Sequence, residues 1–223
     1  MNKCQFCKKE FTTAKTLSAH MCPKKKRWAD KNTIGARLGF RVYQQFYTMT
    51  TQSKKPKTQE VFIQDRMYTA FVKYGRHLAD LNPIDADKFI EYVIRNGIPI
   101  DKWCFDSTYN AYLKEHIAKE LAERAFERTV LEMQRWATEN ELTLQDFFGS
   151  VNTFEAVQLV RSGRISPWLL YLAPSSDLLW DRFSEEQEKL ISEAVDPEIW
   201  QSKFSRQIGD VVFVKNIAKS SGL

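Results

Sequence analysis

Three of the four cysteines lie within the first 22 residues, and a histidine stands beside the third, in the order Cys4, Cys7, His20, Cys22. Thiolate sulfur and imidazole nitrogen are the donors that zinc and its chemical neighbours prefer. Two thiols separated by two residues in a tight turn can face one ion, and a helix further on can bring up an imidazole. Four such donors close the coordination shell, which describes a structural ion and not a catalytic one with an open water position. Two other accounts of these residues stay open: a reduced, metal-free segment, and a three-donor site completed by another group. A disulfide is the weaker account, because nothing near the cysteines suggests an oxidising compartment. Elsewhere His77, His116 and Cys104 stand isolated in sequence. There is no phosphate-cradling glycine loop and no nucleophile elbow, so no catalytic residue is assigned and a non-enzyme is expected.

Up to His20 the segment resembles a zinc finger of the two-Cys, two-His type. Both cysteines, Phe11, Leu17 and the first histidine stand at that family's spacings. The resemblance implies a small ββα unit over 1–27, with Phe11 and Leu17 as its apolar core and one structural Zn2+ supplying the folding energy that so short a unit lacks. The last ligand departs from the family, where about three to five residues separate the final pair. Here Cys22 follows His20 closely, and on one continuous helix their side chains would point about 200° apart. Pro23 disfavours helical backbone at Cys22, so the helix is expected to end first and let Cys22 turn back to the ion. The expected ligands are therefore Cys4, Cys7, His20 and Cys22. Carried over by position, the base-reading places fall at Thr13, Thr16 and Ala19. None of these makes a bidentate contact to a base edge, so sequence reading by this finger alone is not expected.

Charge is concentrated around the same segment. Residues 1–60 carry 14 Lys and Arg against Glu10, Asp30 and Glu60, a net of +11, whereas the remainder nets −6 and the whole chain +5. Phosphate binding depends on local cation density and counterion release. The candidate phosphate contacts are Lys8, Lys9, Lys15, Lys24, Lys25, Lys26, Arg27, Arg37 and Arg41. They point to nucleic acid held by its backbone, DNA ahead of RNA, with a protein partner for the acidic remainder. The same charges also suit an interaction or assembly protein whose finger is a protein-binding clasp with wet flanks and no nucleic-acid role.

The elements that must hold this site read as helical. Among 223 residues, 43% are hydrophobic, 27% charged, and only 8 are Gly and 7 Pro, which excludes a mostly disordered chain and disfavours many-turned β folds. The expected fold is mainly α, a small ββα finger before a multi-helix body. Its divisions are 1–27, a basic helix and linker over 28–58, and a helical body over 59–223 with a possible subdivision near 140–152. Periodicity predicts helices over 36–49, 59–81 and 86–96, with Val61, Tyr68, Phe71 and either Tyr74 or Leu78 on one stripe of the second. Asp85 is its successor's N-cap and Gly97 its stop.

Over 107–140, Leu113, Ile117 and Leu121 lie about 180° from Phe126, Val130, Met133 and Ala137, so either the helix breaks near 122–125 or its two ends pack on opposite sides. Glu115, Glu120, Glu123, Glu127 and Glu132 lack Glu-x-x-His partners and are expected on a solvated face, with Glu115–Lys119 and Glu120–Arg124 as four-apart pairs. The outline around Pro167 suggests a helix-turn-helix, but Trp168 to Leu172 is too apolar for a groove and reads as core. Asn152 or Thr153, Ser184 with Gln187, and Asp196 before Pro197 open further helices. Val211 to Val214 mark 209–217 as the one expected strand.

The aromatics around Arg41 and Lys73 at helical spacing are read as core. No apolar run approaches the ~20 residues of a membrane span. The first residues lack the apolar stretch of a secretory signal. A cytoplasmic setting is expected, that of the host if the chain is phage-encoded. The general look of the chain is similar to uncharacterised proteins of tailed bacteriophages that place one finger before a helical body.

Overall fold

The computed structural model describes residues 2–51 and 55–223. Part of the expected linker, Gln52 to Lys54, lies outside them. The fold is mainly α, with a two-stranded antiparallel hairpin at the N-terminus, β1 (Asn2–Lys3) and β2 (Glu10–Phe11). The hairpin is followed by α1 (Ala14–Ala19), α2 (Pro23–Ala29) and α3 (Ile34–Thr50), and then by α4 (Gln59–Gln64), α5 (Tyr68–Leu81) and α6 (Ala86–Arg95). α7 (Asp106–Lys119) and α8 (Ala122–Glu139) are the next long helices. Seven shorter ones complete the chain: α9 (Phe147–Ser150), α10 (Thr153–Arg161), α11 (Pro167–Leu172), α12 (Asp177–Trp180), α13 (Glu185–Ile191), α14 (Pro197–Arg206) and α15 (Ile208–Ser220). Two compact units are resolved, Met1–Asn110 and Ala111–Leu223. No helix among the described residues is long and apolar enough to cross a membrane.

In the first unit, α3 and α5 run antiparallel at backbone contact. A Cβ on Gly75 would come within 2.4 Å of the Gly35 carbonyl and the Gly39 nitrogen, and one on Gly39 within 2.8 Å of the Phe71 carbonyl. Only glycine allows that approach. The gap on either side is filled by rings: Tyr43 packs edge-on against Phe71 at 5.3 Å, and Tyr74 against Trp103 at 5.1 Å. Tyr43, Phe71, Tyr74 and Trp103 are essentially buried, which bears out the core reading of the aromatics near Arg41 and Lys73. Burial, with Asp65 accepting a hydrogen bond from its hydroxyl at 3.4 Å, pushes the Tyr43 phenol up to about 12.

The expected helix over 59–81 is two helices. Asp65 adopts extended backbone and its Oδ1 accepts from the Met67 amide at 2.7 Å, a local bond that competes with helix continuation. The interruption rotates the pattern, so Phe62 and Ile63 are buried and Val61 is exposed.

The second unit buries Trp136, Phe147, Phe148, Trp168, Leu169, Leu170 and Trp200 in one core, so α11 is core and not a groove reader. Its caps follow the sequence signals at Asn152, Ser184 with Gln187, and Asp196. The chain breaks at Leu121, which is extended, just ahead of the expected 122–125.

Of the five glutamates, Glu123 and Glu127 are exposed as expected, whereas Glu120 and Glu132 are not. Arg124 pairs with Glu127 at 2.8 Å instead of Glu120, while Glu115 and Lys119 pair at 2.8 Å as expected. Glu120 faces Arg128 and His116, and Glu132 faces Arg135 and Arg164, with both carboxylates largely buried. They are ion-paired inside the unit and not on a solvated face. The expected strand over 209–217 is a further correction, since those residues form α15. Val214 and Ala218, four apart, are buried, and Val211 and Ile217 pack beside them. Burial of a helical stripe overrides the strand preference of β-branched residues.

Candidate metal centre

Each donor is placed by a different local device. The hairpin sets Asn2 opposite Phe11 and Lys3 opposite Glu10, leaving Cys4 to Lys9 as its loop. The Cys4 amide donates to the Lys9 carbonyl and the Lys8 amide to the Cys4 carbonyl, both at 2.9 Å. Lys8 has φ of 64°, a left-handed conformation that a residue with a Cβ adopts only when its surroundings insist. Thr13 caps α1 by accepting from the Thr16 amide at 3.2 Å, and α1 stops at His20, whose backbone is extended. Cys22 is extended as well, and its sulfur accepts from the Lys25 amide at 3.4 Å. Cys22 therefore stands beyond α1, as Pro23 implies, and it is also the N-cap of α2.

The four donor atoms lie within 4.8 Å of one another, and Cys7 Sγ is 3.2 Å from His20 Nε2. A tetrahedral site with Zn–S bonds of ~2.3 Å has edges of ~3.8 Å, so the cluster has the size such an ion requires. Cys4 and Cys22 are buried, Cys7 and His20 half-buried, and all the cysteines are free thiols. The Phe11 ring packs against the His20 imidazole at 4.7 Å, and Phe11 and Leu17 are half-buried beside it.

The Cys7 amide favours the Cys4 thiolate and, against partial burial, holds that thiol down to about 7. At Cys7 the Lys9 amide acts in the same direction, but burial together with the sulfurs of Cys4 and Cys22 pushes the thiol up. Crowded sulfurs resist joint ionisation, and a divalent cation removes that conflict. Among the described residues, no other group of three or more His, Cys, Asp or Glu side chains converges closely enough to hold an ion. No protein-family model, curated protein or solved structure matches this chain.

The candidate phosphate contacts are not equivalent. Lys8, Lys9, Lys15, Lys26, Arg37 and Arg41 are exposed, Lys24 half-buried. Arg41 pairs with Asp87. Lys25 donates to the carbonyls of Ser18 at 3.3 Å and His20 at 3.1 Å, so it satisfies the open end of α1. Arg27 donates to the carbonyls of Ile63 at 2.9 Å and Asp65 at 3.3 Å, with its guanidinium 4.5 Å from the Tyr68 ring centroid. Those two cations tie the metal-binding segment to α1 and to the α4–α5 corner. Sequence reasoning missed Phe6, Trp28 and Lys31. The Phe6 and Trp28 rings meet at 6.2 Å, and the Lys31 ammonium sits 3.9 Å from the Trp28 centroid. Their signal was weak because Phe6 and Trp28 are distant in sequence and meet only once α2 turns back.

Proposed function

We propose that this chain is a non-enzymatic accessory protein that binds nucleic acid through a zinc-stabilised finger and its basic surroundings. Cys4, Cys7, His20 and Cys22 hold one structural Zn2+, and the exposed lysines around them contact phosphates without reading sequence. The acidic helical body over 59–223 engages a protein partner. The observation that supports this most directly is the four-donor cluster set within a segment that nets +11 over residues 1–60. A second reading, a protein-binding clasp, draws support from Lys25 and Arg27, which donate to internal carbonyls and so also serve the packing of the segment.

Fluorescence anisotropy with labelled DNA and RNA across a salt titration separates the two. Micromolar or tighter binding that weakens steeply with salt and falls when Lys24 and Lys26 become Glu supports the first. Absence of binding at low salt, together with a stable complex in a pull-down, replaces it with the second.

A further inference from the structure

An open cleft of about 280 Å³ adjoins the candidate metal centre, lined by the donor Cys4 itself together with Lys3, Gln5, Phe6, Leu17, Ser18 and Lys25. That is close to the lower bound of ligand clefts, about 300 Å³, and suits one planar ring system better than an extended chain. Its lining combines an aromatic ring and a leucine with polar Gln5 and Ser18 and the two ammonium-bearing residues Lys3 and Lys25. Phe6 is backed by Trp28, and Lys31 in turn lies against the indole.

Resting on the nucleic-acid reading above, we propose that this cleft receives one unpaired base of a single-stranded nucleic acid. The base stacks on Phe6, Trp28 is the positioning residue that keeps the Phe6 ring in place, and Lys3 and Lys25 hold the flanking phosphates. A base offers a flat π-face to an aromatic side chain, and its own phosphates supply the charge that the rim cations attract. Lys3 is paired with Glu10 at 3.5 Å, but both side chains are about half exposed. Such a pair is weak and yields readily to a phosphate. Lys25 spends two donors on carbonyls and keeps a third, since an ammonium has three. A duplex fits this surface poorly. Its bases are not free to enter a cleft, and α1 presents only Thr13, Thr16 and Ala19 at the places where a groove would be read.

The test is anisotropy with the full, zinc-loaded chain against short oligo(dT), oligo(U) and a duplex of equal length, with poly-glutamate as competitor. The unmodified chain should prefer the single strands. Phe6→Ala should weaken single-strand binding about five- to a hundredfold and leave duplex binding unchanged. Phe6→Tyr should restore it. Both variants should still bind one equivalent of zinc in a chelator competition, which keeps a folding defect apart from a lost stack. Equal loss on single strand and duplex, no loss from Phe6→Ala, or displacement of oligo(dT) by poly-glutamate at equal charge overturns the proposal. If Lys24→Glu and Lys26→Glu still abolish binding in that case, the nucleic-acid reading survives it. If no polynucleotide binds the unmodified chain, both fall together.

Discussion

At Gly75 a methyl group would meet backbone on two sides, and at Gly39 it would meet the carbonyl of Phe71. Neither neighbour can swing away as a side-chain tip can. Alanine at Gly75 or Gly39 should therefore cost about 1–3 kcal/mol or more, read as a drop of several degrees in the melting temperature. Alanine at Gly35 would meet Arg76 Cγ at 2.4 Å, near the backbone end of that side chain, and should cost less only as far as the whole Arg76 side chain can rotate away. Alanine at Gly209, with open space around it inside α15, should be neutral or stabilise by up to about 1 kcal/mol. Thermal melts of the four variants check that order.

His77 allows a second prediction at this scale. Its Nε2 is buried without a hydrogen-bond partner, and burial lowers its pKa below the ordinary 6.5 against the pull of Asp106 and Asp80. The unfolded chain then binds the proton more readily than the folded one. Stability should be full above 6.5 and fall as the pH drops through the lower folded value. His77→Phe should flatten that part of a melting-temperature profile, and a profile no flatter than the parent's would refute the assignment.

Cys22 couples two elements through one atom, as candidate metal donor and as cap of α2. Cys22→Ser and Cys22→Ala should lose zinc affinity alike, but serine keeps a capping oxygen and alanine does not. Without metal, the alanine variant should be less stable than the serine variant by about 1 kcal/mol, read from helical circular dichroism during denaturation. The elements that were legible in sequence were those with local signals. The donors from Cys4 to Cys22, the caps at Asp85, Asn152 and Ser184, and the interruption by Pro23 all act within a few residues of themselves. The elements misread were decided from afar. Val211 to Val214 become helical because the second core takes Val214 and Ala218, and Glu120 turns inward because Arg128 waits there. The chain likewise parts at Asp65 because that side chain bonds its own backbone, a choice that apolar periodicity alone does not register.

Across the described residues, the two units carry separate aromatic cores, and the four-donor cluster lies in the first. Chelation should accordingly be a regional event. Hydrogen exchange followed by mass spectrometry should show lost protection over 2–31 and at the α4–α5 corner that Arg27 grips, with 122–220 unchanged. Faster exchange throughout 122–220 would mean that the metal supports more than its own unit. The cleft at Phe6 was illegible for a reason that belongs to this scale too, since it exists only where the hairpin, α1 and α2 have all been placed.

The Arg27 grip has a consequence for rotational diffusion. A finger on a loose tether reorients on its own, and its amides relax faster than those of the body that carries it. Here Ile63, Asp65 and Tyr68 hold the segment just beyond the last donor. Nitrogen-15 relaxation at Leu17 and at Leu78 should then report one shared correlation time, and Arg27→Gln should shorten it at Leu17 alone. The four donors are thereby held at a fixed bearing relative to α3 and α5, as a compass needle is when its pivot is locked.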